Sequence, residues 1–564
     1  MMQRGFRAWS AVVVTIALMA AACGGGEGTD DGAAVADDTA VGDTGADAPD
    51  AADDESDAAD DGSDDGVDPA TDGGTPVHGG MATYGIISDG TGFSTTDAVQ
   101  EGAIRIIGAL NDSLVAIDEN GEWAPLLAES LTPNDDATVW TIGLRDGVTF
   151  HDGVPVDAAA VQANLDAFRA SPTVGFSLSV VESIEVVDPL TVQVNMRSPW
   201  AAFPHTLIGQ PGWMVSPETI GLNDMFVGTG PFVLESWTPG DGAITVRNDD
   251  YWAAGDDDLP YLDGVNFKVI PDQSARRQAL EAGDIDAYYA PGDLDIIDFM
   301  ATDDIQIIVD SGASNEILYI LNTTTAPTDD VRIRRAMAHA IDQELIISQF
   351  RSDLTEPASS FIDPSSKWWA DTEYPQYDPE EAQALVAAYE AEVGPAELTL
   401  FASNIDSVLE VSEVIVSFWE DAGIDVTLEI IQPGNEVPPV IGDAFQAIFW
   451  AQFGAVDPDG SYVFFHSSGG LLNWSNLVDP RMDEGFDLGR ESFDEAERAR
   501  GYAMVQEVFA DQVPMIWIDH LSGVEGVAAQ PDLNNILGGT LPDGRPRWGF
   551  LSGSYFSWDD IWIG

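Results

Sequence analysis

A single cysteine limits how this chain can be stabilised. Cys23 is the only cysteine among 564 residues, so no intrachain disulfide can form and each folded unit depends on burial of apolar side chains. The cysteine ends an apolar run, residues 11–22, that follows Arg4 and Arg7. A basic start and a short apolar run are typical of an export signal, and the run is too short to cross a bilayer comfortably. We therefore predict a signal peptide at residues 1–22.

The residues just before Cys23 suggest how the exported chain is held. Three alanines, residues 20–22, precede the cysteine, which resembles a bacterial lipobox, although the lipobox pattern prefers Leu where this chain has Ala20. The resemblance implies a lipidated Cys23 as the new N-terminus. The protein would then sit on the outer face of the cytoplasmic membrane, or in a periplasm. The alternative is an ordinary secreted protein with an incidental cysteine.

A long acidic tract follows the cysteine. Residues 24–80 contain no Lys or Arg and very few large apolar side chains. Low hydrophobicity and high like charge cannot offset the entropy lost on ordering, so this tract is predicted to be disordered. It has no regular calcium-loop spacing. We therefore interpret residues 23–80 as a solvated tether between the membrane and a folded body.

The charge of the whole chain excludes some partners. The formal net charge is -77, and Lys268 and Lys367 are the only lysines. A polyanion such as nucleic acid, or an anionic membrane surface, would be repelled. The acidity favours salt adaptation or simple solubility over a cationic ligand. No second apolar segment has the length of a membrane span.

The body from residue 81 onward alternates short strands with helices, which indicates an α/β fold. Strands are predicted at residues 81–88 and 139–144, and Asp157 occupies an N-cap position before a helix. A strand–helix–strand unit within 261–286 implies a parallel pair of strands. Residues 330–350 have apolar side chains at helical spacing and predict one amphipathic helix. Further helices and strands are predicted at 183–187, 191–196, 318–321, 379–391, 408–422, 425–430, 445–450 and 495–511, with Gly423 as the C-cap residue of the helix at 408–422.

Several motifs in a fixed order resemble one protein family. They are LAES at 127–130, LRDGVTFHDGVPVDAAAV at 144–161, GTGPF at 228–232, RNDDYW at 247–252, DVRIRRAMAHAID at 330–342, AGI at 422–424 and VPMIW at 513–517. Each motif alone is weak, but their order is specific. The chain resembles the extracellular solute-binding proteins of ATP-binding-cassette importers that include oligopeptide, dipeptide and nickel binders. The resemblance covers nearly all of residues 81–564.

The family resemblance implies an architecture and a function. The fold would be periplasmic-binding-protein-like, of the large class with two hinged lobes and an extra subdomain in the first. Lobe one would span residues 81–311, with the subdomain inserted at about 114–211; lobe two would span 312–525, and residues 526–564 would return to lobe one. The implied function is capture of peptides or related solutes and delivery to permease subunits, by a monomer without cofactor or catalysis.

The most informative candidate for solute contact is the segment at 449–465. It contains Asp457 and Asp459 in an Asp-Pro-Asp-Gly sequence after a predicted strand. In peptide-binding relatives, an aspartate of a similar loop pairs with the α-amino group of the ligand, and a carboxylate facing an ammonium forms a strong charge-assisted bond. The same four residues also form a strong turn by themselves. Both interpretations remain open at the level of sequence.

Aromatic and amide side chains near this segment are further candidates. Aromatic rings can stack on a sugar or form the wall of a side-chain pocket, but each is also a normal core residue. Trp368 and Trp369 lie in loop-like contexts, as do Trp213 and Tyr319. With sixteen tryptophans in the chain, an oligosaccharide remains an alternative ligand. The residues predicted to contact solute, beside the two aspartates, are Trp450, Phe453, Asn473, Trp474, Trp213 and Tyr319.

Two other classes of function were weighed. A secreted hydrolase is disfavoured because the chain has no HExxH zinc motif and no GxSxG nucleophile elbow, although paired carboxylates of a glycosidase are compatible with so many acids. A metal or haem carrier is disfavoured because the six histidines are dispersed and no thioether cluster is present. No metal ligands are predicted. The histidines are His78, His151, His205, His339, His466 and His520.

Overall fold

A computed structural model describes the folded body. It covers residues 75–97, 101–255, 258–291, 293–302, 304–309, 316–351, 355–432, 435–452, 457–520, 525–536, 539–547, 550–551 and 555–564. The predicted signal peptide, Cys23, nearly all of the predicted tether and Phe453 lie outside these ranges. Within them, no helix combines the length and the apolar character that a membrane crossing needs.

Strands and helices alternate along the chain in three stretches. The first stretch contains β1 Met81–Ile86, α1 Glu101–Leu110, β2 Val115–Ile117, β3 Trp123–Pro125, β4 Ala128–Pro133, β5 Val139–Leu144, α2 Ala158–Ala170, β6 Val181–Asp188, β7 Thr191–Met196, α3 Phe203–Thr206, β8 Phe232–Thr238, β9 Gly242–Arg247, β10 Gly264–Val269, α4 Gln273–Glu281, β11 Ala287–Pro291, α5 Asp293–Met300 and β12 Gln306–Val309. The second contains β13 Glu316–Leu321, α6 Val331–His339, α7 Gln343–Phe350, β14 Glu356–Pro357, α8 Pro379–Glu392, β15 Glu397–Ser403, α9 Asp406–Asp421, β16 Asp425–Ile431, α10 Val437–Ile441, β17 Ala447–Gln452, α11 Tyr462–Phe465, α12 Pro480–Glu491, α13 Glu495–Gln512 and β18 Met515–His520. The third contains β19 Glu525–Ala529, β20 Leu533–Asn534, β21 Phe550–Leu551, β22 Tyr555–Phe556 and β23 Trp562–Ile563.

A seven-stranded sheet, here called the first sheet, has the order β12-β19-β11-β1-β10-β9-β8. Strand β1 is parallel to both β10 and β11, whereas β19 runs antiparallel between β11 and β12. The sheet therefore combines strands from the first stretch with one strand that returns from late in the chain. Its core includes Tyr84, Phe267 and Trp558, all nearly fully buried.

A six-stranded sheet, the second sheet, has the order β14-β18-β13-β17-β15-β16. Strands β15, β16 and β17 are parallel, and β13 is antiparallel to its neighbours β17 and β18. Every residue of β13 and β18 is buried, as expected for central strands covered on both faces. Side chains of α6, α9 and α13 complete this core.

A four-stranded antiparallel sheet, β4-β5-β7-β6, forms a smaller third layer, here called the inserted sheet. Buried and partly exposed residues alternate along β5 and β7, so one face of this sheet is covered. Helix α2 packs on it, and its core includes Trp140 and Phe203. In the chain, all four strands lie between β1 and β8, and both of those strands belong to the first sheet.

Two local predictions are confirmed in detail. Asp157 caps α2 by accepting a bond from the amide of Ala160 at 2.9 Å, which satisfies one of the free amides of the first turn. Gly423 follows the end of α9 with a φ of 100°, a conformation that glycine adopts with little cost. Composition and spacing were sufficient at both positions because the interactions are local.

Two other predictions need correction. The single helix predicted across residues 330–350 is wrong: α6 ends at His339, and Asp342 caps α7 by accepting from the amide of Leu345 at 2.9 Å. The apolar spacing continues through the break, so periodicity alone could not reveal it. The strands of the 261–286 unit are parallel but do not pair with each other, because β1 lies between them.

Candidate functional site

The strand directions define one edge of each sheet. In the first sheet, β1, β10, β11 and β12 all end at the same edge, where β19 begins. In the second sheet, β15, β16, β17 and β18 end together, where β13 begins. The chain passes from the end of β12 to the start of β13, and from the end of β18 to the start of β19. Both passages therefore join these two edges, and ligands of open α/β sheets bind outside the carboxyl ends of strands.

Ionisable side chains are buried at this edge of the second sheet. Glu316, the first residue of β13, and His520, the last of β18, are 0% and 1% exposed, with 3.6 Å between Oε1 and Nδ1. Next to them, Arg351 Nε donates to Asp519 Oδ2 at 3.1 Å. Burial of an ionisable group is costly unless a polar partner lies close to it. These pairs fix the ends of the two strands from which the chain crosses to the first sheet.

Glu436 is a further buried carboxylate at the same edge. It lies in the turn that follows β16, is 2% exposed, and accepts a bond from Ser403 Oγ at the end of β15. Its second oxygen, Oε2, has no hydrogen-bond partner among the described residues. A buried carboxylate oxygen without a donor is costly in a protein interior. Glu436 therefore has the capacity to accept a bond from a bound molecule.

The Asp-Pro-Asp-Gly segment forms a compact turn. Residues Pro458–Ser461 make a turn of 3₁₀ helix, and Asp457 caps it by accepting from the amide of Asp459 at 3.0 Å. Proline at the first helical position supports this geometry. The interpretation of the sequence as a turn is thus confirmed, and the question becomes what the two carboxylates contact.

Asp459 is paired with an arginine and a tryptophan. Arg490 Nε, on α12, donates to Oδ1 at 2.6 Å, and Trp200 Nε1 donates to Oδ2 at 2.7 Å. Asp459 and Arg490 are about 5% and 6% exposed. The Arg490 guanidinium also lies 3.5 Å from the ring centroid of Tyr462. Both oxygens of Asp459 therefore accept hydrogen bonds from protein groups.

Asp457 is held in a similar way. Arg498 Nη2 donates to both of its oxygens, at 2.7 and 2.6 Å, and Tyr502 Oη donates to Oδ1 at 3.2 Å. His205 Nδ1 lies 3.6 Å from Oδ2. Burial alone would raise the pKa of Asp457, but His205 and Arg498 outweigh it and hold the pKa below its ordinary value. The carboxylate is ionised and already neutralised by the protein.

The structure brings Trp450 and Trp474 together. Their rings meet edge to face with 4.3 Å between centroids, and Phe464 packs against Trp474 at 5.2 Å. Trp450 lies two residues before the end of β17, close to the edge described above. Trp474 Nε1 is buried without a hydrogen-bond partner among the described residues. Of the predicted aromatic contacts, this pair is the one that approaches the carboxyl ends of the strands.

The remaining predicted contacts lie in cores or in local turns. Tyr319 is fully buried in the middle of β13, where its hydroxyl is 3.0 Å from Ser412 Oγ. Trp213 is 4% exposed and packs in the core of the first sheet. Asn473 is 5% exposed and donates to the carbonyl of Leu477 at 2.8 Å. The structure does not place these three side chains at the edge where the parallel strands of either sheet end.

Sequence reasoning missed the partners of the two aspartates. Trp200 and His205 come from the segment after β7, and Arg490 comes from α12, so their contacts with 457–459 span long sequence separations. The excess of acidic over basic residues could have indicated that these aspartates pair with arginines. A buried aspartate requires a donor, and the chain has few arginines relative to its acids. Within the described residues, no group of three or more His, Cys, Asp or Glu side chains could hold a metal ion.

Comparison with known proteins agrees with this architecture. The model of the bacterial extracellular solute-binding proteins, family 5 (middle region), matches residues 122–472. The crystal structure of dipeptide binding protein from Pseudoalteromonas sp. SM9913 in complex with Met-Leu has a TM-score of 0.72, at 19% identity over 86% of this chain and 100% of that one. The similarity in structure confirms the predicted periplasmic-binding-protein type of α/β fold.

Two curated relatives are also similar in sequence. The glutathione-binding protein GsiB of Salmonella paratyphi A (strain ATCC 9150 / SARB42) is 28% identical over 312 residues, which is 53% of this chain but only 60% of that relative. GsiB of Shigella boydii serotype 4 (strain Sb227) is 24% identical over 455 residues, 76% of this chain and 88% of that relative.

Two α/β sheets joined by two chain crossings, together with a match to a family of binding proteins, define the class: an extracellular solute-binding protein. The matched residues 122–472 make up more than half of the chain. The chain belongs to the bacterial extracellular solute-binding proteins, family 5.

Proposed function

We propose that this protein is the substrate-binding component of an ATP-binding-cassette importer and captures a peptide or a related small solute without altering it. The observation that carries the proposal is that both chain passages between the two sheets run between the edges at which the parallel strands of each sheet end. A solute held there would contact both sheets, so it would bind the closed form more tightly and shift the open–closed equilibrium.

We further propose the division into lobes. Lobe one would comprise residues 81–311 and 526–564, with the inserted subdomain at about 114–211, and lobe two residues 312–525. The strand composition of the first and second sheets supports this division. The inserted sheet would move with lobe one, since its strands lie within that stretch of chain.

The ligand class follows from what the relatives bind and from the charge at the edge. The relatives named above bind a dipeptide and glutathione, both of which carry an amino group. Asp457 and Asp459 are paired with arginines, whereas one oxygen of Glu436 has no donor among the residues that the structure describes. We therefore assign the contact with the amino group to Glu436, and wall contacts to Trp450 and Trp474.

Calorimetry with Met-Leu and glutathione as probes tests the function. We expect saturable binding of one molecule per chain and recovery of the probe intact, as judged by mass spectrometry. Multiple turnover of either probe would contradict the receptor function and favour a hydrolase. Absence of saturable binding across a panel of di- to pentapeptides would contradict the peptide class.

Glu436→Gln tests the assigned contact. The wild type should prefer Met-Leu over N-acetyl-Met-Leu, because acetylation removes the positive charge, and the variant should lose most of this preference. An unchanged preference in Glu436→Gln would show that the amino group is bound elsewhere.

We also propose that Cys23 is lipidated and that residues 24–80 tether the body to the membrane. Labelled palmitate should enter the wild-type chain, and Cys23→Ser should abolish labelling and release the protein into the medium. Labelling that persists in Cys23→Ser, or a wild type that is released unlabelled, would contradict the anchor.

A further inference from the structure

The Asp-Pro-Asp turn touches the inserted sheet as well as its own surroundings. Trp200, just after β7, donates its indole N–H to Asp459 across 259 residues of sequence. Beside this contact, the amide of Ala201 donates to the carbonyl of Arg490 at 2.7 Å. Both bonds therefore join the stretch of chain assigned to lobe one with the stretch assigned to lobe two.

This contact is shielded from water. Trp200 is 2% exposed, and Asp459 and Arg490 are also buried. The Arg490 guanidinium lies 5.0 Å from the Trp200 ring on one side and 3.5 Å from the Tyr462 ring on the other. Hydrogen bonds to charged groups and cation–π contacts are stronger when they are desolvated.

Further contacts join the same two stretches of chain, and this set of contacts is here called the junction. His205 lies 3.6 Å from Asp457, Trp140 meets Phe493 edge to face at 6.1 Å, and Phe176 meets Phe464 at 6.4 Å. In each pair one residue belongs to the region of the inserted sheet and the other to the region of the second sheet. The junction is a continuous surface and not one isolated bond.

Separation of the lobes would divide these contacts unequally. Asp459 and Arg490 both belong to the second lobe and would stay paired. Trp200 would lose its acceptor, the stacked guanidinium and the cover of the second lobe. The Asp459–Arg490 pair would therefore survive opening, whereas its contacts with Trp200, like the other contacts between the two lobes, exist only in the closed form.

We propose that Trp200 is a positioning residue for solute capture: its bond to Asp459 and its contact with Arg490 latch the closed arrangement of the two lobes. The proposal rests on the lobe division and closure proposed above. The latch gives the inserted sheet a role in solute capture, although none of its strands belongs to the first or the second sheet.

Trp200→Phe tests the latch, with Trp252→Phe as the matched control. Trp252 Nε1 donates to the buried carboxylate of Asp112 at 2.8 Å, but both residues belong to lobe one. The two substitutions therefore remove the same kind of bond, across the junction in one case and within a lobe in the other. Phe493→Ala, at an exposed position of the junction, is a second variant with little risk to folding.

The closed fraction can be measured as a distance. Spin labels at Val187→Cys and Val478→Cys, 58% and 71% exposed, report the separation of the inserted sheet from lobe two in the full chain carrying Cys23→Ser. Without solute, we expect the ratio of closed to open molecules to fall about tenfold in Trp200→Phe, as for loss of one charge-assisted bond, and less in Phe493→Ala. Trp252→Phe should match the wild type.

Each result bears on the proposal in one direction. Two distance populations that Trp200→Phe leaves unchanged, or that Trp252→Phe shifts equally, would overturn the latch while closure itself stands. A solute-free wild type with the open distance only would also overturn it, because a latch made of protein atoms should populate the closed form unaided. A single distance that also stays unchanged with saturating Met-Leu would instead contradict the proposed closure.

Discussion

Two buried aspartates in different regions of the molecule carry opposite pKa shifts. Asp457, where the two proposed lobes meet, and Asp112, after α1 in the proposed lobe one, are 4% and 3% exposed. The pKa of Asp457 lies below its ordinary value, whereas burial raises the pKa of Asp112 to about 6. Equal burial has therefore produced opposite electrostatic results.

The difference lies in the donors. Arg498 contacts both oxygens of Asp457 directly, whereas Asp112 accepts from the neutral groups Trp252 Nε1 at 2.8 Å and Tyr251 Oη at 3.4 Å. Arg547 acts on Asp112 only through its charge and lies 3.7 Å from Asp559. At Asp457, His205 and the contacting guanidinium together outweigh desolvation, whereas at Asp112 the more distant guanidinium does not. The charged pair lies between the inserted region and α13, whereas the weakly acidic group contacts residues of the same stretch of chain.

Removal of Arg498 should have the largest effect. Arg498→Met leaves Asp457 buried without the guanidinium that contacts both of its oxygens, so the free energy of unfolding should fall by about 3–5 kcal/mol. Unfolding in guanidinium chloride measures the change. Arg500→Met, at an exposed arginine of the same helix, is the control and should have little effect. If both variants lose the same small amount, the pair does not stabilise the turn.

The protonation of Asp112 should produce a smaller effect with a defined sign. A pKa raised from 3.8 to about 6 means that the folded state holds this proton more tightly than the unfolded state. Its contribution therefore falls by about 3 kcal/mol as the pH rises through this window, and is constant below and above it. Asp112→Asn removes the titration. The stability of the variant relative to wild type should thus improve between pH 4 and pH 7, and a constant difference would contradict the raised pKa.

The sequence predicted the features that depend on neighbours along the chain. Asp157 as an N-cap, Gly423 after a helix and the Asp-Pro-Asp turn each follow from local hydrogen bonds or backbone conformation. The order of the motifs was sufficient to predict the family, and the alternation of strands with helices was sufficient to predict the α/β class. The second sheet could not be ordered in this way, because its strand neighbours β13 and β18 are about two hundred residues apart in sequence.

The candidate site was harder to predict for the same reason. Asp457 was recognised as a chemically important residue, but Arg498 and His205 reach it from a later helix and from the inserted region. Glu436 was not recognised, because a glutamate after a strand is unremarkable until its burial and its bond to Ser403 are known. Tyr319 was predicted to contact solute, but it lies in the middle of β13, whose six residues are all buried.

Loss of a single neutral donor should have the smallest effect on the free energy of unfolding. It tests the comparison of Asp457 with Asp112 at the level of one hydroxyl group. Tyr502→Phe removes a 3.2 Å bond to Asp457 and should lower the free energy of unfolding by about 1–2 kcal/mol, since the acceptor is charged. Tyr251→Phe removes the longer 3.4 Å contact with Asp112, whose carboxyl is largely protonated below pH 6, so its cost at pH 5 should be smaller. Both are measured by unfolding at pH 5 and pH 7.5. A larger loss for Tyr251→Phe at pH 5 would mean that hydroxyl geometry, and not the charge of the acceptor, decides what each tyrosine contributes.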